Sequence, residues 1–279
     1  MDLNTVLEVR DARSRGVWRP GDAWLGGGTY LFSEPQPQLR RLIDLSRTGW
    51  PPLRMTAEGD LEIAATCTIA QLSRYAAQAG WAAAPLFEQC CRAFLASWKI
   101  WNMATVGGNL CNSLPAGPMI SLTAALDGRC RLLSQGGGVR EVPVADFVTG
   151  AGRNVLRPGE LLRAVTLPAS ALAARTAFRQ ASLYGLGRSG ALLIGALEPP
   201  AASGRHGILT LTVTAATVRP IQLRFPVPPN ARAVREAVEN AVEPGEYFDD
   251  IHGLPAWRRH MTLRYAEEIR TELGGEEDR

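Results

Sequence analysis

Two short segments that set adjacent glycines beside a threonine constrain this chain more than anything else in it. One is Ala23-Trp24-Leu25-Gly26-Gly27-Gly28-Thr29-Tyr30-Leu31; the other is Asn102-Met103-Ala104-Thr105-Val106-Gly107-Gly108-Asn109-Leu110. Glycine admits positive φ and lets another molecule approach the main chain closely. Successive N–H groups in such a bend converge into an anion-binding concavity, and a threonine hydroxyl adds a donor. Two such loops can clasp a diphosphate from both sides without any lysine or arginine. Taken singly, each also reads as a tight turn between strands.

The chain has 279 residues, 46% of them hydrophobic and 20% charged, which allows a sizeable core divided over two or three units. No apolar run approaches the ~18 residues of a membrane span. Met1-Asp2-Leu3-Asn4 lacks the basic-then-apolar pattern of a secretory signal, so a cytoplasmic location is expected. The five cysteines, Cys67, Cys90, Cys91, Cys111 and Cys130, fit neither a disulfide framework nor a metal or iron–sulfur site and read as buried thiols. Cys111, just after the second glycine segment, is the one whose reactivity is worth testing. His206, His252 and His260 show no ligand-like spacing. A net charge of +3 is too small and too dispersed to argue for nucleic acid.

Three parts are expected: 1–52, 53–168 and 169–279. The first reads as a small α/β unit with a helix over Asp2 to Ala12, a turn from Gly16 to Gly21, a strand at Ala23 to Leu25 and another apolar set at Leu42-Ile43-Asp44-Leu45. The second is richer in strands. Leu61 and Ile63 flank polar Glu62 as a half-buried strand would. Thr68 and Gln71 form a capping-box signature for a helix from Ile69 to Ala79, ending at Gly80. Further helices are expected over Pro85 to Ser97 and Met119 to Leu126, with strands at Arg131 to Leu133, Glu141 to Val144 and Leu162 to Leu167. In the third part, Ala191 to Leu197 and Ile208 to Val218 read as strands, the latter with Leu/Thr alternation. Asn230 caps a helix bearing Ala231, Val234, Val238 and Ala241. A last helix carries Trp257, Met261, Tyr265, Ile269 and Leu273 at i+4 spacing, as core or a partner-facing surface, and the end from Gly274 reads as a frayed tail.

In order and spacing the two glycine segments resemble those of the FAD-binding medium subunit of the molybdenum hydroxylases, the xanthine dehydrogenase and carbon monoxide dehydrogenase family. The resemblance runs over nearly the whole chain. It implies an α+β fold: a two-part FAD-binding domain of the vanillyl-alcohol-oxidase-like (PCMH-type) class, then a C-terminal domain like that of the CO dehydrogenase flavoprotein. It implies FAD as cofactor, contacted by Trp24, Leu25, Gly26, Gly27, Gly28, Thr29, Tyr30 and Leu31 in the first segment and by Ala104, Thr105, Gly107, Gly108 and Asn109 in the second. Valine at Gly107 or Gly108 is expected to strip FAD and leave the fold largely intact. Leu95, fourteen positions before Asn109, falls where the family sets an apolar residue near the flavin ring, and Leu162 matches another flavin-contacting position. Pro118 replaces the aspartate that usually bonds the ribose, removing one anchor, and Tyr30 stands where an acid is common. Phe178-Arg179-Gln180 resembles a Phe-Lys segment, so Arg179 inherits the lysine's place near the flavin, its charge kept and its shape changed. Trp257-Arg258-Arg259 resembles a structural segment that opens the family's last helix. The implied partners are a molybdenum-cofactor-binding large subunit and a 2Fe–2S small subunit, with NAD or another electron acceptor.

Gly185-Leu186-Gly187-Arg188-Ser189-Gly190 also fits G-x-G-x-x-G, a dinucleotide fingerprint. Its surroundings do not suit one, because no buried strand precedes it and no acid follows about 20 residues on, where Arg205-His206-Gly207 stand. It reads better as a mobile loop that the family sets beside the flavin, with Tyr184 stacking on the ring. The expected function is relay: electrons pass from iron–sulfur clusters through FAD to an acceptor, while the substrate is oxidised on a partner. A structural adaptor that binds FAD weakly, a standalone nicotinamide-dependent dehydrogenase and a standalone flavin oxidase remain as alternatives.

Overall fold

Short apolar runs punctuated by glycine and proline sort, among the described residues, into three larger sheets in chain order and one two-stranded hairpin. The computed structural model describes residues 3–14, 16–76, 79–200, 207–226 and 228–274. Arg205, His206 and the tail beyond Gly274 lie outside the described residues.

Strands β1 (Glu8–Asp11), β2 (Asp22–Leu25) and β3 (Arg41–Asp44) form a parallel sheet in the order β1-β3-β2. The helix expected over Asp2 to Ala12 is replaced by β1. Leu7 and Val9 are exposed, so a helix there has no core to bury a stripe against, whereas the free edge of β3 satisfies the backbone. The Leu7 N–H donates to Arg40 and that of Ala12 to Asp44, extending the ladder at both ends. Arg41 Nε donates to Asp22 Oδ1 at 2.8 Å across the sheet, and both side chains are buried.

The second sheet is antiparallel, in the order β4-β5-β10-β6-β7, from β4 (Leu53–Met55), β5 (Leu61–Ala64), β6 (Arg129–Leu133), β7 (Val139–Pro143) and β10 (Leu161–Leu167). Between β5 and β6 run α1 (Ile69–Ala76), α2 (Ala84–Ala93), α3 (Trp98–Trp101), α4 (Val106–Asn112) and α5 (Pro118–Ala125). α6 (Val144–Phe147) and the hairpin of β8 (Val148–Gly150) and β9 (Arg153–Asn154) precede β10. The capping box is formed: Thr68 N donates to Gln71 Oε1 at 2.9 Å and Gln71 N to Thr68 Oγ1 at 3.2 Å. β5 is buried on both faces rather than one, because Arg54, Arg131 and Arg163 converge on the Glu62 carboxylate at 3.2, 4.0 and 3.9 Å and cover its face. α2 stops at Ala93, short of the expected Ser97, where Leu95 turns to φ +47° and Ser97 caps α3 instead.

After α7 (Ala169–Leu172), the third sheet is an antiparallel meander of β11 (Arg175–Ala181), β12 (Ala191–Leu197), β13 (Leu209–Thr214) and β14 (Ile221–Phe225). α8 (Ala231–Ala241) and α9 (Pro255–Gly274) cover one face. The Leu/Thr alternation of β13 separates two buried faces. The leucines join the core under α8 and α9, while Thr210, Thr212 and Thr214 pair with the β12 face that meets α5. There Ser121 and Thr214 hydroxyls lie 2.7 Å apart, and Leu192 and Ile194 join the core of the second sheet. Gly195 lets α9 close on β12, since a Cβ there would lie 2.3 Å from Ile269 Cγ2.

Glu160 links the first two sheets. Its carbonyl accepts from Trp24 Nε1 at 2.9 Å, and its buried carboxylate accepts from Arg140 Nη2 at 2.6 Å and Arg157 N at 2.8 Å. The Arg140 hydrogen bonds, then the Arg157 N–H, hold its carboxyl down at about 2 against the desolvation that would raise it. A depressed carboxylate stabilises the fold above its unfolded value near 4.3 and loses that contribution as pH falls toward about 2. Glu160→Gln should therefore lower stability at neutral pH by about 1–3 kcal/mol and flatten acid unfolding between those limits. Urea melts at pH 7 and pH 3 check it; equal losses at both would refute the assignment.

Candidate functional site

Beyond β2 the chain bends through Gly26, Gly27 and Gly28, the last at φ +71°. A Cβ on Gly27 would lie 1.6 Å from the Met103 carbonyl oxygen, so the first glycine segment rests directly on the backbone that leads into the second. The two segments, more than seventy residues apart, thus meet as their composition suggests. Phe32 N donates to Gly28 O at 2.9 Å and Ser33 N to Tyr30 O at 3.0 Å, which folds residues 28–33 into a turn. The backbone N–H groups from Gly26 to Leu31 find no acceptor among the described residues. Six consecutive donors remain unspent in a segment that lines a cleft of about 520 Å³.

The second segment is not a loop, which corrects the sequence reading. Thr105 is an N-cap whose Oγ1 accepts from Gly108 N at 3.0 Å, and Gly107 and Gly108 lie in the first turn of α4. Val106 N donates to Cys67 O at 2.8 Å and Gly107 N to Ala65 O at 2.9 Å. These donors are taken, so this segment shapes the wall rather than cradling an anion. Gly107 turns away from the cleft toward Ala65, and Gly108 lines it. Asn109 Oδ1 accepts from Met119 N at 3.0 Å, fastening α4 to the start of α5. Pro118 is buried at the first helical position of α5, where a missing N–H costs nothing.

The cleft gathers Trp24, Leu25, Gly26, Gly27, Gly28, Thr29, Tyr30 and Leu31 on one wall and Leu95, Ala104, Thr105, Gly108, Asn109 and Pro118 on the other. Leu95 is half-exposed with a left-handed backbone, a conformation that costs a leucine about 1–2 kcal/mol and so points to a local demand. Four expected residues are not brought into the cleft lining. Besides Gly107, Leu162 is buried in β10 within the core. Arg179 on β11 is engaged by Glu268 at 2.8 Å and Glu272 at 2.7 Å from α9. Tyr184 is 73% exposed and outside the lining.

Residues 185–190 join antiparallel β11 and β12 as a hairpin loop, which excludes the strand–turn–helix setting of a dinucleotide fingerprint. The loop nevertheless reaches the cleft through Leu186, Arg188 and Ser189, and Gln180 Nε2 holds Ser189 Oγ at 2.9 Å. Among the described residues Arg188 is the one lysine, arginine or carboxylate in the cleft lining, and none of them forms a hydrogen bond or ion pair with its side chain. Sequence reasoning missed it, although an arginine inside a glycine hexapeptide was the available signal. Asn112 and Ile100 were missed too, lacking any motif. Cys111 also lines the cleft, where desolvation pushes its thiol up to about 12 and so disfavours the thiolate.

Taken together, unspent consecutive donors, a contact only glycine permits, one cation and no carboxylate make a cleft that suits an anionic dinucleotide. A family model described as the FAD-binding domain in molybdopterin dehydrogenase matches residues 4–170. The chain belongs to that family. Its cofactor is FAD. Xanthine dehydrogenase of Oryza sativa subsp. japonica is 32% identical over 75 residues, and xanthine dehydrogenase 2 of Arabidopsis thaliana is 32% identical over 84 residues. These matches cover 27% and 28% of this chain and only 6% of either relative. Among solved structures, quinoline 2-oxidoreductase from Pseudomonas putida 86 superposes with a TM-score of 0.75 at 20% identity over 98% of both chains. Reconstituted CO dehydrogenase from Oligotropha carboxidovorans gives 0.77 at 20% identity over 96% of this chain and 97% of that one. The fold is therefore that of these chains over nearly their whole length. No described helix is long and apolar enough to cross a membrane.

Proposed function

We propose that Gly26 to Leu31 hold the diphosphate of FAD, and that the chain is the electron-transfer subunit of a heteromeric molybdenum hydroxylase in the cytoplasm. The six unspent N–H groups carry this reading, because a row of main-chain donors in a water-accessible bend is matched by phosphate oxygens. Thr29 adds a hydroxyl. Trp24, Tyr30 and Leu95 enclose the apolar part of the cofactor, with Ala104, Thr105, Gly108, Asn109 and Pro118 as the opposite wall. Bound FAD would supply reversible electron storage, accepting electrons singly and releasing a pair. The residues of this chain bind it, orient it and keep water from it. Oxidation of the substrate belongs to a molybdenum-cofactor-binding subunit, electrons arrive from a 2Fe–2S subunit, and NAD or another acceptor takes them away. The likeness of fold, over nearly the whole length, to chains of CO dehydrogenase and quinoline 2-oxidoreductase supports that division.

Arg188 takes the electrostatic part first expected of Arg179, whose charge is spent on α9. Arg188→Glu should weaken FAD retention about tenfold at low ionic strength, with the difference shrinking as salt is added. Equal FAD affinity in both proteins at low salt would remove Arg188 from the site. A second reading, an adaptor with weak FAD binding, is favoured by one observation: no carboxylate among the described residues lines the cleft to accept from the ribose. The absorbance spectrum of the purified protein, with the released cofactor identified, separates the two. Flavin bands and free FAD support the electron-transfer reading; a folded, colourless chain that takes up no added FAD supports the adaptor.

A further inference from the structure

A parallel sheet is stable only when both of its faces are covered. The register of β1-β3-β2 sets Arg10, Ile43 and Trp24 side by side on one face and Val9, Leu42 and Ala23 on the other. Two parallel strands are joined by a crossover of a dozen or more residues, usually a helix that covers the face it crosses. Here β1 reaches β2 through residues 12–21 alone, and no described part of that connection is helical. It runs over the face of Ile43 and Trp24: the Trp18 ring lies 5.2 Å from that of Trp24, and Arg41 Nη2 donates to the Val17 carbonyl at 2.9 Å. So thin a strap leaves the layer incomplete.

The space beside it is a second cavity of about 410 Å³, close to the volume of about one helical turn with its side chains. Trp24, Ile43, Trp50 and Leu161 line it together with Arg10 and Arg13. The Arg10 and Arg13 guanidiniums are half-exposed, and although Glu8 and Asp11 each engage one, no carboxylate among the described residues lines the cavity itself.

We propose that this cavity docks an amphipathic helix from another subunit of the complex, apolar toward Ile43, Trp24 and Trp50 and acidic toward Arg10 and Arg13, completing the layer that the short crossover leaves open. The surface follows from the fold; that a second subunit exists rests on the function proposed above. Because Trp24 lines both this cavity and the FAD cleft, docking braces the strand that leads into Gly26.

The test compares hydroxyl-radical footprints of the isolated chain with those of the tagged chain recovered in its native complex, and repeats the recovery with Arg13 replaced by photo-crosslinking benzoylphenylalanine. Expected are a several-fold loss of labelling at Trp50 in the complex and a cross-link to one peptide of another subunit. That peptide should be apolar at i, i+3, i+4 and i+7 and carry acidic residues beside that stripe. R10E/R13E should lower recovery of the same subunit several-fold. Unchanged labelling at Trp50, or cross-links confined to this chain or a second copy of it, overturn the proposal. Trp98 and Met103 near the cleft, 64% and 55% exposed, separate the two readings. Protection there without protection at Trp50 overturns the docking site alone. A chain recovered without partners, unprotected at all these positions, overturns the multi-subunit reading as well.

Discussion

Gly107→Val should leave little folded protein to assay, whereas Gly108→Val should leave a folded protein that has lost FAD. The difference lies in what each side chain would meet. A Cβ on Gly107 would lie 2.4 Å from Ala65 Cβ and 2.7 Å from both its Cα and its carbonyl oxygen, the acceptor of the Gly107 N–H. Main chain cannot swing aside as a side-chain tip can, so α4 would have to leave β5's end and the core beneath it. Overpacking costs about 1–3 kcal/mol where a core can adjust, and here the loss should exceed that range. A Cβ on Gly108 meets only the Thr105 hydroxyl, at 2.9 Å. The cost is a weakened N-cap, about 1 kcal/mol, partly offset by the better helix propensity of valine over glycine. The branched side chain then stands in the cleft. Thermal melts and flavin absorbance together distinguish the two; a Gly107→Val protein that melts like the parent would refute the packing argument.

The sequence treats those glycines alike, which shows where reading from residues stops. Local signals survived: the Thr68–Gln71 box, the helix over Met119 to Leu126 and the apolar strand before Gly26 all depend on neighbours within one turn or one strand. The glycine pair after Thr105 did not, because adjacent glycines serve a loop and a tightly packed helix start equally well, and the deciding contact, Ala65, lies some forty residues earlier. Arg179 failed for the same reason. Its partners Glu268 and Glu272 belong to the last helix, so its charge is neutralised by residues no nearby motif could reveal. Arg188 was hidden inside a motif whose familiar meaning the antiparallel hairpin excludes. The cleft was thus legible where backbone chemistry builds it and illegible where distant side chains decide which charge remains free.

Arg258 extends this logic from binding to stability, and replacing it should have the largest effect of any single change in the last third of the chain. It is 1% exposed, and desolvation pulls its pKa down while Asp250 holds it up, so the charge is kept by its partners. Nε donates to Gly253 O at 2.9 Å, Nη1 to both Gly190 O and Ala215 O at 2.6 Å, and Nη2 to the Asp250 carboxylate. One guanidinium therefore ties together the end of the cleft loop, the exit of β13 and the turn before α9. Arg258→Leu would leave three carbonyls without this donor and strip the Asp250 carboxylate of its ion pair, leaving it only the His252 N–H among the described residues, a loss of about 3–5 kcal/mol. Arg258→Lys keeps the charge but lacks the planar fork that reaches several acceptors, so it should recover only part of that. The consequence travels to the cleft because Gly190 closes the loop that carries Arg188 and Ser189. Gly190 is itself pinned: a Cβ there would meet Trp257 Cζ3 at 2.5 Å and His252 O at 2.6 Å. R258K, if it folds, should bind FAD more weakly than the parent and lose most of the salt dependence that Arg188 confers. A folded R258L with unchanged melting and unchanged FAD retention would mean that the three carbonyls are held without it.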